Sequence, residues 1–118
     1  MKSSAIKICS NIINVLSKNK GSDIIKIDLK GKSSIADFMI ICSGTSSRHI
    51  IALSYYLDKD LKKIDLKTFS IEGKQGGDWI LVDAGDVIVH LFRSEVREYY
   101  NLEKMWNPKI NDDMQINN

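Results

Sequence analysis

Phe38-Met39-Ile40-Ile41-Cys42 is an unbroken apolar run, followed at once by the small residues Ser43-Gly44-Thr45-Ser46-Ser47. A run this short and this apolar reads as a strand covered on both faces, and therefore as an inner strand of a sheet. Upstream, Asp23 to Leu29 alternates, with Ile25, Ile27 and Leu29 on one face and Lys26 and Asp28 on the other, which predicts a half-buried strand. Gly31-Lys32-Ser33-Ser34 turns the chain between the two. Downstream, Ile50, Leu53, Leu57, Leu61 and Ile64 recur at helical steps, while Lys59, Asp60, Lys62 and Lys63 fall on the opposite, polar side.

The same reading extends to both ends. Ala5, Ile8, Ile12, Val15 and Leu16 predict a first helix capped by Ser3 or Ser4 and stopped at Gly21. Short strands are expected near Phe69 to Glu72, Trp79 to Asp83 and Val87 to Phe92, with the Ala84-Gly85-Asp86 corner joining the last two as a hairpin. Ser94 and Glu95 suit the first turn of a final helix running towards Trp106, and Asn107-Pro108 ends it. The order α-β-β-α-β-β-β-α predicts an α/β fold: a single compact domain with a mixed five-stranded sheet flanked by helices. The domain is expected over residues 1–107, with 108–118 a polar, disordered tail.

Composition narrows the function. The 118 residues are 43% hydrophobic and 27% charged, an ordinary globular mixture long enough to bury a core without disulfides or metal. Seventeen Lys and Arg against 15 Asp and Glu give +2, with no basic stripe, so strong direct nucleic-acid binding is not expected. Cys9 and Cys42 lie in apolar runs without CxxC spacing and read as buried thiols of a reducing compartment. Lys7 and Asn11 interrupt any signal-peptide core, and no apolar run approaches a membrane span, so the expected location is cytoplasmic, without membrane contact.

Chemical motifs fail on spacing. Gly31-Lys32-Ser33 ends like a phosphate loop, but Lys26 occupies the position of its first glycine and a strand follows where a helix is needed. Gly44-Thr45-Ser46 precedes a helix, as an anion-binding loop would, and supports the alternative of a nucleotide-binding or nucleotidyltransferase-like enzyme. Such an enzyme holds metal with paired carboxylates on one strand face, and no pair after the loop has that spacing: Asp83 and Asp86 straddle a turn, and Asp58 and Asp60 lie on a helix. His49 and His90 have no neighbour at metal-ligand spacing. No catalytic residue, metal site or cofactor is assigned, and the chain is not expected to be an enzyme.

Recognition is the better reading of residues 79–106. Trp79, Leu81 and Asp83 share one face of a strand, and Arg97, Tyr99, Tyr100, Leu102 and Trp106 follow on the last helix. Trp, Tyr and Arg are enriched at interface hot spots, because each buries a large area while keeping a polar handle. The same aromatics could instead complete a small core.

Asp28 to Ser34, Asp37 to His49, Glu72-Gly73, Asp78 to Asp83, Gly85 to His90, Arg97, Tyr100-Asn101-Leu102-Glu103 and Met105-Trp106 closely resemble the ribosomal silencing factor family, RsfS or Iojap-like, in order over about residues 3 to 106. The resemblance implies a fold related to nucleotidyltransferases but lacking their catalytic carboxylates. It further implies binding to the large ribosomal subunit through ribosomal protein uL-fourteen, which blocks subunit joining and represses translation under nutrient limitation. On this reading Trp79 and Leu81 are apolar anchors, and Asp83 and Glu103 orient a basic partner. His90, Arg97, Tyr100, Leu102 and Trp106 complete the expected contact set. A homodimer pairing the Trp79 face with itself is a further arrangement open to the chain when off the ribosome.

Overall fold

The computed structural model describes residues 2–63, 70–73 and 76–100. Their order is α1 (Lys2–Lys18), β1 (Ser22–Asp28), β2 (Phe38–Gly44), α2 (Ser47–Lys63), β3 (Ser70–Glu72), β4 (Trp79–Asp83), β5 (Val87–Arg93) and α3 (Ser94–Tyr100). Among the described residues the sheet has five strands in the order β1-β2-β5-β4-β3. Only β2 and β5 run parallel; the β1–β2, β5–β4 and β4–β3 pairs are antiparallel. The mixed α/β architecture is the expected one, and the Ala84–Asp86 corner does close the β4–β5 hairpin. Every residue of β2 is buried, as its apolar run requires, although β5 takes the middle of the sheet.

Side-chain alternation divides the molecule into two apolar clusters. Phe38, Ile40 and Cys42 of β2, Ile80 and Val82 of β4, and Val87, Val89 and Leu91 of β5 point towards the helices. There they meet Ala5, Ile8, Ile12 and Leu16 of α1 and Ile50, Leu53, Leu57 and Leu61 of α2. Each fully buried aliphatic side chain contributes about 1.5–3 kcal/mol, so this cluster carries most of the stability. Ile27, Leu29, Ala36, Met39, Ile41 and Phe92 form a second cluster on the other face, with Ile25, Trp79, Ile88 and Val96 packed against it. The apolar side of β1 thus turns away from the two long helices and towards the face that carries Trp79.

Several local expectations shift. The first helix already includes Ser3 and Ser4, beginning at Lys2. Its stop falls at Lys20, which takes the left-handed conformation at φ 69°, while the N–H of Gly21 closes onto the Leu16 carbonyl at 2.8 Å. Gly21 is required for a different reason: a Cβ there would lie 2.6 Å from Cys42 Sγ. Ile64 and Phe69, expected on α2 and the third strand, lie outside the described residues, as does the 108–118 tail. Gly73, at φ 94°, joins β3 towards β4 where a Cβ would run into the Trp79 carbonyl oxygen.

Candidate functional site

Strand register places Trp79, Leu81 and Asp83 opposite Phe92, His90 and Ile88 of β5. Cross-strand partners share a face, so the second-cluster side of the sheet is a set of rows. One row reads Glu72, Leu81, His90, Ile41, Ile25 across all five strands. Exposure follows position along it: Glu72 is exposed, Leu81 and Ile25 are half-buried, and His90 and Ile41 are buried. The next row begins Ser70, Asp83, Ile88, and its first three members are all half-buried. Around Leu81, therefore, the accessible part of this face is an apolar strip beside the β3 edge, flanked by the carboxylates of Glu72 and Asp83.

Side-chain contacts tie the floor beneath that strip together. The Trp79 indole N–H donates to His90 Nδ1 at 2.9 Å, and its ring stacks on Phe92 with centroids 4.9 Å apart. His90 lies 5.6 Å from Trp79 and 6.1 Å from Phe92, nearly parallel to the latter at 12°. Accepting from the indole fixes His90 as the neutral tautomer with its proton on Nε2. Burial disfavours the imidazolium and lowers the His90 pKa from 6.5 to about 4. Asp83 Oδ1 accepts the Gly85 N–H at 2.9 Å, so this carboxylate also holds the hairpin turn.

Two of the expected contact residues are buried within the chain. His90 is 6% exposed and Arg97 7%, so little of either side chain reaches the surface. The Arg97 guanidinium points inward, donating to Ser43 Oγ at 2.7 Å and to the Asp23 carbonyl at 2.5 Å. It thereby ties α3 to the end of β2 and to the irregular start of β1, where pairing shifts between Ser22 and Ile25. Tyr100 is the last residue of α3, and Leu102, Glu103 and Trp106 lie outside the described residues. The structure thus brings Trp79, Leu81, Asp83 and His90 together, adding Glu72, Ile88 and Phe92, which sequence reasoning left out of the site. The signal for Ile88 and Phe92 was present: a tight 84–86 corner fixes which residues of the two strands face each other.

At the Gly44 loop, two backbone N–H groups already have side-chain acceptors. His49 Nδ1 accepts the Thr45 N–H at 3.0 Å, Ser46 Oγ accepts the His49 N–H at 3.0 Å, and His49 Nε2 reaches the Asn19 carbonyl at 2.9 Å. Ser46, just before α2, thus caps its first turn through the His49 N–H. Ser94 Oγ donates to the Gly44 carbonyl at 3.2 Å, fastening α3 to the same loop. Cys9 and Cys42 are free and buried, and burial pushes each thiol up to about 11. Among the described residues, no three His, Cys, Asp or Glu side chains stand close enough to share a metal ion. No described helix is long and apolar enough to cross a membrane.

Comparison with known proteins gives the fold its context. A protein of Haemophilus influenzae named ribosomal silencing factor RsfS is 48% identical over 95 residues, covering 80% of this chain and 93% of that one. The mouse protein named mitochondrial assembly of ribosomal large subunit protein 1 is 36% identical over 105 residues, 86% of this chain and 46% of its own length. A crystal structure of a Chromobacterium violaceum protein superposes with a TM-score of 0.84 at 37% identity, covering 86% of this chain and 85% of the other. The family model described as ribosomal silencing factor during starvation matches residues 2–118, and the chain belongs to that family.

Proposed function

We propose that the chain docks on the large ribosomal subunit through the Leu81 strip of its sheet, binds ribosomal protein uL-fourteen there, and blocks subunit joining by bulk alone. The observation that carries this reading is the strip itself: a half-buried Leu81 between Glu72 and Asp83, set on a floor locked by the Trp79–His90 hydrogen bond and the Phe92 stack. An apolar centre rimmed by carboxylates suits a partner with a basic surface, as ribosomal proteins generally have. Family membership supports ribosome association and a role in translation regulation, and the name of the mouse relative points to the large subunit. Residues beyond Tyr100, including Leu102, Glu103 and Trp106, belong to the proposed contact set on the sequence resemblance.

A steric repressor needs only a rigid body and a stable interface, and about 1,200–2,000 Å² of buried surface is standard for one. His90 and Arg97 serve here as positioning residues, the first for Trp79 and the second for α3. Sedimentation with purified large subunits tests the reading. Leu81→Asp is expected to weaken co-sedimentation at least tenfold and to restore subunit joining, with a thermal midpoint within a few degrees of the parent. Asp83→Ala should weaken binding less and also loosen the hairpin turn. Undiminished binding of the Leu81→Asp variant sinks the proposal. The cytoplasm is the expected compartment for this action.

A further inference from the structure

On the opposite side of the sheet, α1 and α2 leave a groove of about 240 Å³ between them. Lys18 of α1 and Lys59 and Lys63 of α2 line it, with Asn14, Val15, Asn19 and Tyr56. Asp60 is the only carboxylate in the lining. All three lysines are exposed, Tyr56 is 46% exposed, and none of the three lysines belongs to an ion pair among the described residues. Helix-end electrostatics account for Lys18 and Lys63, which lie in last turns. They do not account for Lys59, which stands one turn before Lys63 as an i,i+4 pair of like charge, a destabilising arrangement. The neighbouring face of α2 shows the ordinary solution, with Lys62 paired to Asp58 at 3.2 Å.

We propose that this groove binds a single-stranded segment of RNA, its phosphates on Lys18, Lys59 and Lys63 and a base against Tyr56. Basic residues that track the backbone, combined with an aromatic ring for stacking, are what single-strand recognition uses. With three cations the contact is weak and salt-dependent, in keeping with a net charge of only +2. The site is independent of the Leu81 strip, although on a ribosome both would be engaged together if the docking proposed above holds.

Fluorescence anisotropy of the whole chain with a labelled twelve-nucleotide oligoadenylate tests it. The parent protein is expected to bind in low salt. The triple variant Lys18→Gln, Lys59→Gln, Lys63→Gln should lose at least tenfold in affinity, with the log–log salt slope reduced by about 2, since each single-strand phosphate contact contributes about 0.7. Tyr56→Ala should lose a further few-fold with the slope unchanged. All four positions are exposed, so an unchanged circular dichroism melt is the folding control. No binding by the parent, or equal affinity and slope in the triple variant, overturns the proposal, as does equal competition by polyglutamate, which would mark unspecific anion attraction. Large-subunit binding by Leu81→Asp is read in parallel, so failure of the docking reading and failure of the groove are separate results.

Discussion

Trp79 reaches across the hairpin to place its indole N–H on His90 Nδ1, and that bond leaves no room for a proton on the acceptor nitrogen. The unfolded chain would protonate His90 near 6.5, whereas the folded chain resists until about 4. Between these values the unfolded state binds more protons, so stability falls as pH drops from 6.5 to about 4 and levels below. The loss amounts to roughly 3 kcal/mol at most. Urea midpoints measured from pH 4 to 8 should show this slope in the parent, and His90→Gln should remove most of it. A parent midpoint flat across that range would show that the imidazole is not held neutral. The two thiols act in the opposite direction at the alkaline end: with pKa values raised to about 11, they favour the folded state below pH 9 and lose that contribution as pH rises through 11.

At the scale of elements, Arg97 is the pin that holds α3 against the sheet, through Ser43 on β2 and the Asp23 carbonyl on β1. Truncating it to Ala removes two charge-assisted bonds and leaves the buried Ser43 hydroxyl and the Asp23 carbonyl short of a donor, a loss of about 1–3 kcal/mol. Hydrogen exchange should then quicken over residues 94–97 and 22–25 while α1 and α2 keep their protection, because none of the described side chains of α3 belongs to the main core. Uniform loss of protection would show instead that Arg97 supports the whole fold. The sequence displayed the elements clearly, since Ile50, Leu53, Leu57 and Leu61 spell a helical period and Val87 to Phe92 a strand. It did not display the parallel pairing of Phe38 with Val87, which lies 49 positions away between two strands that are both nearly all apolar. Nor did it show that Arg97 turns inward: Arg is an interface residue by type, and its burial depends on a Ser43 hydroxyl that only folding brings near.

For the molecule as a whole, the decisive property is that its two faces differ. Helices α1 and α2 seal one side of the sheet, so charge changes there leave the Leu81 strip untouched. We propose that a second copy of the chain would pair through this same Trp79-bearing face. If one surface serves both associations, they exclude each other: a molecule in a dimer cannot dock, and large subunits draw the dimer apart by mass action. Light scattering over a range of protein concentrations gives the dimer constant. Large-subunit binding over the same range should then saturate more slowly than a monomer isotherm predicts. Leu81→Asp is expected to abolish both associations, whereas the groove variant Lys59→Gln, Lys63→Gln should keep the parent dimer constant. A Leu81→Asp protein that still dimerises would place the homodimer on another surface and leave the strip to the ribosome alone.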